Sequence, residues 1–211
     1  MRLDTNLSND SLRLLVLWAG LVLCFGLLGC QPTEPTKPVT PSQTARLKFK
    51  GPIRLANNLS SALAVEKDKL CRELGKFDCF SDVHKITLKG VEPYKVGIRK
   101  SWNIAPLGAP IAAERVAIAS CTERVKRDFA DAEKAIIFKP VVGQDNPGAG
   151  AREEVITTLY KRLLLRLPTA LEKSKLVGFW DTVKEKSKKP AQDWSTLVCF
   201  SLVTSTEFLF Y

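Results

Sequence analysis

The chain has 211 residues, 45% of them hydrophobic and 26% charged, a mixture that excludes wholesale disorder and leaves room for one domain plus an export segment. Its 32 Lys and Arg outweigh 22 Asp and Glu to give a formal charge of +10, which favours anionic partners such as lipid headgroups and acidic envelope polymers. The lysines are scattered among Glu and Asp, so the plain reading of most of this charge is a solvated exterior.

Residues 14–29, LLVLWAGLVLCFGLLG, carry no charge, and Arg13 precedes them. A run of about 16 residues is closer to the apolar core of an export signal than to the roughly 20 residues of a membrane-spanning helix. It ends in Leu27-Leu28-Gly29-Cys30. This resembles the lipobox of bacterial lipoproteins, in which an apolar and a small residue precede a Cys. The resemblance implies that the Cys30 sulfur takes a diacylglyceryl group, that the leader (1–29) is cut off before it, and that the new amine is acylated. Several acyl chains anchor stably, since each buried methylene contributes about 0.8 kcal/mol and one chain alone is marginal. Residue 31 is Gln rather than Asp, the residue that resembles an inner-membrane retention signal in enteric bacteria, so the outer membrane is the expected address.

Residues 30–44 pair the lipidated Cys with QPTEPTKPVTPSQT, where Pro32, Pro35, Pro38 and Pro41 recur at every third position. That period suits an extended polyproline-type spacer. A single mostly helical domain is expected over 45–211, with an N-terminal part at 45–150 and C-terminal helices at 151–211.

Within that domain, Leu47 and Phe49 alternate with Arg46, Lys48 and Lys50, a pattern for a short edge strand. Leu59, Leu63, Leu70 and Leu74 predict a helix over 58–74, capped by Asn58 or Ser60 and ended by Gly75. A shorter helical piece follows at 81–88. Residues 90–109 hold Gly90, Pro93, Gly97, Pro106 and Gly108, which is loop chemistry with room for one short strand. A long helix runs from Pro110 to about Ala132, its stripe formed by Ala113, Val116, Ala117, Cys121, Val125 and Phe129, with Glu114, Arg115, Glu123, Arg124 and Lys126 on the rest of its surface. Residues 136–142 read as a strand or an extended connector, and 144–150 as a loop.

The last part reads as three helices and a tail. Helix 152–166 is broken by Pro168. Thr169 and Glu172 form a capping box for a helix to about Lys188, which Pro190 stops. Asp193 caps a helix over 194–203, and Thr204 with Glu207 repeats the capping spacing before the tail. The fold class expected is therefore mainly α: a small helical domain with long loops and one or two short strands.

The strings LYKRLLLRLPTALE (159–172) and DWSTLVCFSLVTSTEFLFY (193–211) resemble the C-terminal helical region of large exported proteins common in planctomycetes and myxobacteria, which often carry a cytochrome c domain. Arg166, Pro168, Thr169, Glu172, Glu207, Phe208 and Leu209 carry the match. They are cap and core residues, so the resemblance implies fold and cell biology, not catalysis. The chain has no Cys-x-x-Cys-His haem attachment, and no cofactor is expected.

Six cysteines occur; with Cys24 in the leader and Cys30 lipidated, Cys71, Cys79, Cys121 and Cys199 remain. In an oxidising compartment an even number favours disulfides. Cys71–Cys79 is the expected local staple and Cys121–Cys199 the expected second bridge, with buried free thiols as the alternative for that second pair. His84 is the only histidine and there is no Cys-x-x-Cys, which argues against a metal site. A Cys79/His84 nucleophile is the sharper alternative and a structural His84 the plainer one. Trp102, Trp180 and Trp194 read as core aromatics before they read as a nucleic-acid surface. The expected function is a non-enzymatic envelope lipoprotein for binding or assembly, held to the bilayer through Cys30. The alternatives are an accessory subunit of an exported cytochrome-bearing complex and an envelope-polymer hydrolase.

Overall fold

A computed structural model describes residues 47–102 and 104–211; the leader, Cys30 and the Pro-rich spacer lie outside the described residues. The domain is mainly α, with helices α1 (Pro52–Leu63), α2 (Lys67–Leu70), α3 (Ala109–Ala130), α4 (Ala149–Leu159), α5 (Ala170–Lys186), α6 (Pro190–Val203) and α7 (Thr206–Leu209). One small antiparallel hairpin, β1 (Arg72–Glu73) and β2 (Phe77–Asp78), is its sheet among the described residues. None of the described helices is long and apolar enough to cross a membrane.

The core lies between α3 and α6, which pack on each other most extensively, and is continued by α5 against α6 and α4 against α5. The α3 stripe falls where helical periodicity puts it: Ala113, Val116, Ala117, Cys121 and Val125 are buried. Trp180 of α5 meets Trp194 of α6 edge to face with ring centroids 6.3 Å apart. The buried indole of Trp194 donates its Nε1–H to the Leu176 carbonyl at 3.1 Å, so its one polar atom is satisfied.

Several boundaries differ from expectation. The first helix begins at Pro52, not Asn58, because Pro52 takes the first helical position where a missing N–H costs nothing. It ends at Leu63, where Ala64 turns left-handed (φ 51°) and Val65 N–H bonds back to the Ser60 carbonyl. Gly75 therefore ends no helix. It follows Leu74 in the β1–β2 turn, both with positive φ, and Leu74 is 93% exposed rather than part of the apolar stripe. The piece expected at 81–88 is a π-helical turn at Cys79–Val83 followed by turns.

The edge strand expected around Leu47 and Phe49 is reduced to one antiparallel bridge, Phe49 to Phe210. The strand alternative for 136–142 does not form; a 3₁₀ turn occupies Lys139–Val141. Pro190 starts α6 instead of stopping α5, and Asp193 lies in the first turn of α6, accepting from the Ser187 hydroxyl. The cap of α7 is Ser205, whose Oγ accepts from Phe208 N–H at 3.2 Å, in place of Thr204. Trp102 is exposed, which removes it from the core.

The capping box of α5 is present in both directions: Thr169 Oγ1 accepts from Glu172 N–H, and the Glu172 carboxylate accepts from Thr169 N–H at 2.7 Å. Thr169→Ala should lower stability by roughly 0.5–2 kcal/mol through loss of this cap. A thermal melt indistinguishable from the wild type would mean the cap carries no stability.

Candidate functional site

The first group of chemistry-bearing residues is the cysteines and the histidine near them. Cys71 is bonded to Cys79 (Cα–Cα 5.5 Å) and Cys121 to Cys199 (Cα–Cα 5.8 Å). Both bridges are buried: the first closes the base of the β1–β2 hairpin, the second joins the facing stripes of α3 and α6. With Cys79 Sγ committed to Cys71, His84 has no thiol beside it to activate.

His84 instead meets Glu73. Its Nε2 lies 2.8 Å from Glu73 Oε1, and Arg115 Nη1 donates to the same oxygen at 3.1 Å. Hydrogen bonding from His84 first, and from Arg115 second, holds the Glu73 carboxyl below the ordinary carboxylate range. The arrangement pins the hairpin to α3.

The second group gathers the residues that carry the C-terminal resemblance. The Arg166 guanidinium forks onto two carboxylates, Glu172 (2.9 and 2.7 Å) and Glu207 (2.7 and 2.8 Å), and lies over the ring of the buried Tyr160. One arginine thus fastens the start of α5 to α7, and Glu207, expected as half of a capping box, serves this clamp instead. Arg166 is the first cause of the fall in the Glu172 pKa from the ordinary 4.5 to about 2, with the Thr169 N–H adding to it. A depressed carboxylate stabilises the fold fully above its ordinary pKa and loses that contribution as pH falls, here between about 4.5 and about 2.

A third group carries no sequence motif. Arg124 and Asp128, one turn apart on α3, are both buried and form an ion pair. Arg124 was expected on the solvent side of the helix. It turns inward because its Nη1 donates to the carbonyl of Ala64, the left-handed residue that ends α1, at 3.1 Å. Asp128 accepts from three successive main-chain N–H groups, Ile136 at 2.9 Å, Ile137 at 3.0 Å and Phe138 at 2.9 Å. This pair joins the end of α1, the C-terminal turns of α3 and the connector that follows it. The signal was present in the register: Arg124 and Asp128 each lie three residues beyond a buried stripe position, Cys121 and Val125.

The fourth feature is a groove of about 450 Å³ between α3, α5 and α6, walled by Ile118, Phe179, Val183 and Leu197. Its ionisable side chains, Lys186 and Asp193, are both exposed. Among the described residues no group of three or more His, Cys, Asp or Glu is placed to hold a metal ion. The polar geometry of this domain thus joins elements to one another: caps, clamps and bridges account for its short contacts. No family model, curated protein or solved structure matches the chain.

Proposed function

We propose that the chain is a lipoprotein of a bacterial cell envelope, anchored through acylated Cys30, whose helical domain binds or assembles and does not catalyse. The observation that carries this reading is the division of labour among the cysteines. The four that follow Cys30 are all consumed in two buried disulfides, the state of an oxidising compartment, while Cys30 alone follows an apolar run and precedes a Pro-rich spacer. A binding role is supported by the way two sets of ionisable groups, one buried and one half-buried, are used. Arg124 and Asp128 are committed to main-chain partners, and Arg166 to two helix ends, so these side chains stiffen a scaffold.

Cys30→Ser tests the anchor. Cells fed an alkyne fatty acid should label the wild-type protein and not the variant, and the variant should accumulate with its leader attached or lose its membrane fraction. Label retained by Cys30→Ser would overturn the reading.

A further inference from the structure

A group of exposed apolar side chains follows Gly90. Tyr94 is 94% exposed, Ile104 82% and Leu107 100%, and Trp102 is half exposed. Large apolar side chains left exposed together on one loop of a folded surface point to a contact site. The loop is built, not slack. Glu92 and Ile98 exchange main-chain hydrogen bonds at 2.8 and 3.0 Å, with Gly97 left-handed in the turn between them. The Ser101 hydroxyl donates to the Lys89 carbonyl at 2.9 Å and closes the loop behind the hairpin. Gly90 passes so close to Lys85 that a Cβ there would lie 2.6 Å from the Lys85 carbonyl oxygen.

The charge of the loop has one sign. Lys95, Arg99 and Lys100 are all exposed, and the sole carboxylate between residues 91 and 107, Glu92, is held by Lys85 at 2.6 Å. Tyr and Trp interleaved with Lys and Arg is the composition of a membrane–water interface, where amphipathic rings sit at headgroup depth and cations meet lipid phosphates. The loop also adjoins the start of the domain: Val91 lines one cleft with Pro52 and Ile53, in the first turn of α1.

We propose that residues 91–102 and 104–107 form a membrane-docking surface for anionic phospholipid. Tyr94, Trp102, Ile104 and Leu107 enter the interface, and Lys95, Arg99 and Lys100 contact the headgroup phosphates. The proposal rests on the lipid-anchor reading, which supplies the bilayer. Docking lays the domain against the membrane by one defined face, and leaves the groove between α3, α5 and α6 to other partners.

The indoles provide the test. Trp180 and Trp194 are buried, so a nitroxide carried by a lipid reaches Trp102 alone among the described tryptophans. The acylated chain is reconstituted into phosphatidylcholine vesicles with and without phosphatidylglycerol, each doped with nitroxide lipid, and its flotation and fluorescence are read together. Quenching is expected in the anionic vesicles, and it should be reversed by salt and absent in W102F. Each cation at such a surface contributes about fivefold to its occupancy, so K95E/R99E/K100E should quench no more in anionic than in neutral vesicles. Wild-type protein that floats with anionic vesicles but shows no quenching overturns the docking surface and leaves the anchor standing; the same result is expected if the loop's partner is a protein. Protein that fails to float with either vesicle overturns the anchor itself.

Discussion

Asp128→Ala should be the most damaging single substitution in the domain, lowering stability by roughly 3–5 kcal/mol or preventing folding. Removing one partner of a buried ion pair leaves the other charge uncompensated, a loss of about 3–5 kcal/mol. Arg124 is the partner left behind, and its side chain is only 5% exposed. The N–H groups of Ile136, Ile137 and Phe138 lose their acceptor as well, and each buried donor left unmade costs about 1–3 kcal/mol unless water reaches it. Against a total domain stability of about 5–15 kcal/mol, that sum is a large fraction. Asp128→Asn, which keeps the volume and one acceptor oxygen, should be milder and allow a measurable urea titration. Asp131→Ala is the control: its partner Lys134 is exposed and the pair is a surface one, so little should change. If Asp128→Asn and Asp131→Ala unfold at the same denaturant concentration, the Arg124–Asp128 pair does not hold these elements together.

Breaking Cys121–Cys199 should cost more than breaking Cys71–Cys79. The two bridges span sequence separations of 78 and 8. On the chain-entropy account, a cross-link stabilises by restricting the unfolded chain, and the restriction grows with the logarithm of the loop. The short loop contributes about 2–3 kcal/mol and the long one about 4–5 kcal/mol. The long bridge also joins the two helices with the largest shared interface, so its loss releases α6 from α3 in the unfolded ensemble while leaving their packed stripes in place. C121A/C199A and C71A/C79A chains compared by denaturant unfolding decide the order, and peptide mapping of non-reduced wild-type protein checks the connectivity. Equal losses would show that loop length does not govern here, and four free thiols would remove both bridges from the account.

Helical period was readable without any structure. It placed Cys121 on the buried stripe of α3, because apolar residues three and four apart must share a face. The capping box at Thr169 and Glu172 was readable for a similar reason, since its partners lie within one turn and need nothing from the rest of the fold. Pro190 shows where such local reading stops: the same residue terminates one helix or begins the next, and the choice belongs to where the chain must turn so that α6 packs on α3.

Tertiary structure alone decided the long-range polar contacts. Glu207 has capping spacing, yet it pairs with Arg166, 41 residues away. Arg124 is as polar as its neighbours on α3, yet it is buried because the left-handed end of α1 leaves the Ala64 carbonyl without a helical partner. A sequence displays the face on which each side chain lies. It does not display the unpaired carbonyls and N–H groups that neighbouring elements bring to that face. Those groups must be satisfied once buried, and their demand turned Arg124 and Asp128 inward.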